Sequence, residues 1–196
     1  MPRARKSDGE TALRAAGLAF MECGYSGMST RDLEKRSGIT KFSLQTKYGG
    51  KKALFLMALD LYLDELIPWI DLSMSQDGIV GFFRMRADDT RMPEQGRFGC
   101  LMVNAFTEFG STDPEISTRS NRYFEALRSA FKSELLRRRD DGDLDTSVEI
   151  ELEAERLVVS MIGLNSAIRT YGSNSAAANM AEGIALSVQR LRKTQN

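Results

Sequence analysis

The sequence predicts an all-α fold of about nine helices in 196 residues. Apolar residues recur at three- and four-residue spacing along most of the chain. No stretch alternates with the period of two that a half-buried strand requires. Ser, Thr or Asp stands before several apolar runs and Gly or Pro after them, as helix starts and stops demand.

Residues 1–8 read as a flexible basic arm carrying Arg3, Arg5 and Lys6. From Asp8 to Glu22 a run rich in Ala and Leu, with Leu13, Ala16, Leu18 and Phe20, forms the first helix, and Gly24 fits its C-cap. Ser29 followed by Asp32 is a helix start with an acid at the third position, for a short helix to Arg36. Ser37-Gly38-Ile39 is a tight turn, and Thr40 caps a second short helix from Lys41 to Tyr48, ended by Gly49-Gly50. A helix then runs from Lys51 to Pro68. Three helices in the first 48 residues, the last two joined by a tight turn, are helix-turn-helix architecture. The two short ones need tertiary partners to exist at all.

The remainder is also helical. Helices are expected over 77–89, 100–109 and 111–139, with Pro93–Gly99 and Asp140–Asp143 as breaks. Ser111 to Glu115 is a strong start, with capping residues, Pro near the first position and an acid in the first turn. Two more helices cover 149–171 and 176–191.

Composition narrows the function. There is no histidine, which removes Ser-His-Asp, Cys-His and His-ligated zinc chemistry. Cys23 and Cys100 are too few for a metal cluster or a disulfide scaffold and read as small buried hydrophobes. No apolar run reaches the ~20 residues of a membrane span, and the basic N-terminus leads into no apolar signal segment, so a cytoplasmic chain with no membrane partner is expected. The 27 Lys and Arg balance 27 Asp and Glu, yet residues 1–55 carry a net +6 and residues 56–196 a net −6. The basic quarter suits a polyanion.

At this point residues 12–55, ALRAAGLAFMECGYSGMSTRDLEKRSGITKFSLQTKYGGKKALF, resemble the DNA-binding domain of the tetracycline-repressor (TetR) family. The match lies in Phe20, Glu22-Cys23-Gly24-Tyr25, Ser29 with Asp32-Leu33, Ser37-Gly38-Ile39, Leu44, Tyr48 and Lys51 before Ala53-Leu54-Phe55, all in order. The segment GCLMVNAFTEFGSTDPEI, residues 99–116, is similar to one between core helices of the ligand domain in one group of these regulators. Departures at Phe42, Gln45, Lys47 and Lys52 make the operator less transferable.

The resemblance implies a DNA-binding domain over 9–50 and a ligand-binding and dimerisation domain over 51–196. It implies a ligand-responsive transcriptional regulator, a repressor that binds a palindromic operator as a homodimer and is released by a small molecule. Its partners are double-stranded DNA, an effector and a second copy, with no cofactor and no metal. Thr40, Lys41, Phe42 and Gln45 are the candidates for reading bases. Arg31, Ser43, Lys47, Tyr48, Lys51 and Lys52 are the candidates for phosphate. Phe42 and Tyr48 also read as core residues, Tyr48 equally so.

The expected pocket liners are Phe83, Met102, Phe106, Phe109, Tyr123, Phe124, Leu127, Met161 and Asn165, each of which also reads as plain core. Asn104 and Asn165 each need a polar partner inside an apolar helix. The last two helices are the expected dimer interface, through Leu157, Met161, Leu164, Ile168, Met180, Ile184, Val188 and Leu191. Two other readings are a helical interaction module without an effector, and an enzyme using the acid pair Glu108 and Asp113.

Overall fold

A computed structural model describes residues 6–192. Among these the chain forms eight α-helices and two 3₁₀ helices, no strand, and an isolated bridge between Leu144 and Arg192. The helices are α1 (Lys6–Cys23), α2 (Thr30–Ser37), α3 (Lys41–Thr46), α4 (Lys51–Arg86), α5 (Leu101–Phe109), α6 (Pro114–Asp140), α7 (Ile150–Tyr171) and α8 (Ala178–Gln189). The 3₁₀ helices are Glu94–Phe98 and Ser175–Ala177. Arg3 and Arg5 of the expected arm lie outside the described residues, and α1 already includes Lys6.

The caps form as the sequence predicts. Ser29 accepts the Asp32 backbone N–H at 3.1 Å, and Thr40 accepts that of Ser43 at 3.1 Å. Gly38 ends α2 at φ 72°, its N–H donating to the Glu34 carbonyl at 2.9 Å. Asp113 caps α6 by accepting from Glu115 at 3.0 Å and Ile116 at 3.1 Å, with Pro114 as the first helical residue.

One expected boundary is corrected. Pro68 does not end its helix: the helix that starts at Lys51 runs through it as far as Gly78, where non-helical dihedrals separate it from the second expected helix, which runs on to Arg86. Leu63, Ile70 and Met74 are all buried at helical spacing on either side of the proline, and that burial offsets one lost backbone bond. The break falls at Gly78, whose φ 61° and ψ −177° belong to a region that only glycine enters without strain. Pro93–Gly99 is likewise more ordered than a plain break, holding the Glu94–Phe98 turn.

The chain packs as two contact units. The first joins the residues up to Leu66 with Cys100–Ser120, and the second joins Ile67–Gly99 with the residues from Asn121. The core of the first holds Phe20, Leu33, Leu44, Leu54, Phe55 and Leu59, all 2% exposed or less. The core of the second holds Phe82, Phe83, Leu127, Phe131, Leu135, Leu157 and Ile168, equally closed off. Phe83 stacks on Phe131 with ring centroids 5.7 Å apart and planes 5° from parallel. No described helix is long and apolar enough to cross a membrane.

The Gly38 turn can be tested in isolation, because a Cβ there would meet nothing within 4 Å. Gly38→Ala therefore carries only the backbone cost of a left-handed residue, about 1–2 kcal/mol, and lowers the Tm by several degrees in a calorimetric melt. An unchanged Tm contradicts the assignment.

Candidate nucleic-acid interface

The geometry of α3 follows from which of its six residues the core takes. Leu44 is 1% exposed and locks α3 against the head, with Leu33 of α2 and Ile39 of the turn beside it in the buried set. With that anchor fixed, Thr40, Lys41, Phe42, Gln45 and Lys47 are left exposed, and Ser43 is half-buried as the partner of the Thr40 cap. Phe42 is 76% exposed, the largest exposure of any large apolar side chain described. A phenyl ring held in water at the start of a surface helix stabilises nothing in the free chain.

The phosphate candidates divide. Arg31 and Lys47 are exposed. Tyr48 is 8% exposed, so its ring is core, with the Lys47 ammonium 5.1 Å from its centroid. Lys51 lies 4.2 Å from the Tyr25 ring centroid. Burial pushes its ammonium below its ordinary pKa, against the opposing pull of Glu108. Lys52 pairs with Asp113 and sits 5.0 Å from the Phe109 ring centroid. Both lysines thus have intramolecular partners.

Those partners form a clamp that the sequence did not announce. The Glu108 carboxylate, at the end of α5, accepts the backbone N–H of Tyr25 at 2.8 Å and of Ser26 at 2.6 Å. Beneath it Phe20, Tyr25, Phe55 and Phe109 form a ring cluster with centroids 4.9–6.1 Å apart. Burial alone would raise the Glu108 pKa. The bonds from Ser26 and Tyr25, and the Lys51 charge, outweigh it and hold the group below its ordinary value. The Lys52 ammonium, ahead of the cap bonds, holds Asp113 down as well. These two acids are structural anchors, and no group of three or more Cys, Asp or Glu among the described residues is placed to hold a metal. The only signals in sequence were Gly24-Tyr25 and an acid near a helix end, both too common to be read as a pair.

Asn104 and Asn165 find protein partners. The Asn104 amide donates to the Met21 carbonyl at 3.2 Å. Asn165 is 3% exposed; its oxygen accepts from Arg86 at 2.7 and 3.0 Å and its nitrogen donates to the Met161 carbonyl at 2.9 Å. Buried Arg86 also reaches the Asn174 oxygen at 2.7 Å and the carbonyls of Gly96 and Gly99. Asn174 in turn is held by Asp89, whose carboxylate is lowered to about 2, first by Ser175 and then by Asn174 and Ser173.

Of the other expected liners, Met102, Phe106 and Phe109 belong to the first contact unit, and Phe83, Tyr123, Phe124, Leu127 and Met161 to the second. Met102, Phe83, Tyr123, Leu127 and Met161 are all buried, whereas Phe106, Phe109 and Phe124 are half-buried. Among the expected interface residues, Leu157, Met161, Leu164, Ile168 and Val188 face the protomer's own core, Ile184 and Leu191 are half-buried, and Met180 is exposed. The large apolar side chains exposed on α7 and α8 are Leu152, Val159, Tyr171, Met180 and Leu186, between 42% and 72% exposed.

Residues 82–184 match the family model described as tetracyclin repressor-like, C-terminal domain. The HTH-type transcriptional regulator YezE of Bacillus subtilis is 32% identical over 150 residues, spanning 74% of this chain and 77% of the relative. The HTH-type transcriptional repressor AcnR of Corynebacterium efficiens is 26% identical over 178 residues, 91% of this chain and 90% of its own. The crystal structure of a TetR-family transcriptional regulator from Cytophaga hutchinsonii has the same fold, with a TM-score of 0.81 over 99% of this chain and 100% of the other at 13% identity.

The clamp is testable by hydrogen exchange. Glu108→Ala leaves the Tyr25 and Ser26 amides without their acceptor, and each should exchange faster, with stability lower by about 1 kcal/mol. Unchanged protection of those two amides would refute the clamp.

Proposed function

We propose that this chain, which belongs to the TetR family of transcriptional regulators, represses by binding a palindromic operator as a homodimer and lets go when a small molecule binds. As a family member it is a DNA-binding regulator. The repressor reading draws on the AcnR relative, which is named a repressor.

The observation that carries the DNA contact is Phe42. Its ring, 76% exposed at the start of α3, stands between the exposed side chains of Lys41 and Gln45 on a helix anchored by Leu44. In a major groove a phenyl ring meets a thymine methyl, a glutamine bonds an adenine edge and a lysine bonds guanine. Thr40 joins them, and Arg31, Lys47 and Ser43 serve the backbone phosphates. Lys51, Lys52 and Tyr48 act one step behind, by fixing the head that presents α3. The N-terminal domain 9–50 is thus the reading part, and 51–196 the part that senses and dimerises.

A single α3 reads too few base pairs for specificity, so two copies related by a two-fold axis are required. The outward stripe of α7 and α8 suits that role. Leu152 and Val159 on α7 and Met180 and Leu186 on α8 are exposed, and Gly163 and Gly183 have open space where a Cβ would lie. Small residues beside exposed apolar ones let two helix pairs approach closely as a four-helix bundle. The effector is a mixed apolar molecule that suits Met and aromatic side chains, and it acts by shifting the population toward a dimer with the wrong head spacing.

In a gel shift with DNA from upstream of its own coding sequence, the wild type binds with strong salt dependence. Lys41→Ala, Phe42→Ala and Gln45→Ala each weaken binding by about 5- to 150-fold with folding intact. Salt-independent binding, or no effect of all three changes, sinks the reading. Val159→Arg places a charge in the bundle, and sedimentation should then find a monomer with lost operator affinity. A dimer of unchanged strength moves the interface elsewhere.

A further inference from the structure

Of the two large apolar side chains of α3, Leu44 is buried and Phe42 lies in water. The threonine hydroxyls that flank Phe42 along the helix are already occupied. Thr40 Oγ1 accepts the Ser43 backbone N–H at 3.1 Å and donates to Ser43 Oγ at 3.1 Å. Thr46, one turn on, donates to the Phe42 carbonyl at 2.9 Å. Both threonines spend their hydroxyl protons within the helix, so neither has one to give to a base edge beside the ring. Polar contacts fall to the exposed side chains of Lys41 and Gln45.

In a major groove every base pair presents hydrogen-bonding atoms, and thymine adds a methyl group on C5. A phenyl ring pressed onto a donor or acceptor shuts it from water and replaces no bond, which costs more than the buried area returns. Pressed onto a methyl group, the same ring gains apolar area and strands nothing. 5-Methylcytosine carries the same methyl on the same carbon, whereas uracil and cytosine lack it.

We infer that Phe42 makes this protein a reader of the pyrimidine C5-methyl group rather than of thymine as a base. It accepts thymine or 5-methylcytosine opposite the ring and discriminates against uracil or cytosine there. Operator occupancy then responds to cytosine methylation at that position. The inference rests on the DNA-binding reading above and goes beyond it, because base identity and methylation are separable.

The test is a gel shift with the full-length protein and DNA from upstream of its own coding sequence, synthesised with either thymine or uracil. One buried methyl group is worth about fourfold in affinity, so two half-sites give about 15-fold weaker binding of the uracil DNA by the wild type. Phe42→Ala should bind the two DNAs alike, and Phe42→Leu, which keeps an apolar side chain, should retain most of the ratio. Because the ring lies in water, both variants keep the wild-type Tm to within a few degrees. Equal binding of the two DNAs by the wild type overturns the inference. So does a loss shared equally by Phe42→Ala, which would belong to groove shape or to another side chain. Duplexes with single uracils then locate the position. There 5-methylcytosine should bind about fourfold tighter than cytosine in the wild type and equally in Phe42→Ala. Equal binding of those two by the wild type overturns the response to cytosine methylation. A wild type that binds neither thymine nor uracil DNA overturns the DNA-binding reading and this inference with it, whereas binding without discrimination overturns this inference alone.

Discussion

The helix-turn-helix depends on anchoring two helices too short to stand alone. α2 has eight residues and α3 has six, well below the ~12–15 that make an isolated helix even marginal in water. Their persistence is a tertiary matter. Leu33, Ile39 and Leu44 supply the apolar anchor, and the caps at Ser29, Gly38 and Thr40 supply the terminal hydrogen bonds. The approach to α2 is fixed from behind, where Glu108 takes two backbone N–H groups of the 25–26 link over the ring cluster of Phe20, Tyr25, Phe55 and Phe109.

That arrangement assigns the charges in a way their sum conceals. The chain is neutral, with a basic first quarter. Not all of that charge is free for a polyanion. Lys52 is spent on Asp113, Lys51 on the Tyr25 ring and the Glu108 field, and Arg36 on Glu22. Lys41, Arg31, Lys35 and Lys47 remain exposed beside the α2–α3 turn. The exposed positive charge is therefore less than the count suggests.

The second contact unit solves a different problem. Arg86 is 5% exposed, and its donors are met by amide and backbone oxygens from Asn165, Asn174, Gly96 and Gly99. The network ties the Glu94–Gly99 segment to α7 and the link after it, since its acceptors come from all three. Asp89 extends it by capping the 173–175 link. The two asparagines that stood out in apolar helices are explained by this and by the Met21 carbonyl, so neither amide stands in need of a ligand to be satisfied.

Local chemistry made much of this legible from sequence. The caps, the left-handed glycine at 38 and the start at Asp113-Pro114 are decided by a few adjacent residues, and so were correct from the chain alone. The helix-turn-helix followed from the same rules, whereas the exposure of Phe42, which also read as core, was decided by the fold. What adjacent residues cannot decide was decided by packing. Pro68 reads as a stop, but buried Leu63, Ile70 and Met74 carry α4 through it, and the break moves to Gly78. Leu157, Met161, Leu164 and Ile168 read as an interface stripe, yet periodicity shows only that a helix has an apolar face and not whether its own core or a second copy covers it. The pairing of Glu108 with residues 25 and 26 spans more than 80 positions, and so does the contact of Asn104 with Met21. The sequence by itself determined most of the elements and the ends that caps and turns set, because those depend on hydrogen bonds and dihedrals within one turn of chain. The tertiary structure decided which charges, amides and apolar faces are already occupied, because occupancy is a property of residues that meet only when the chain is folded.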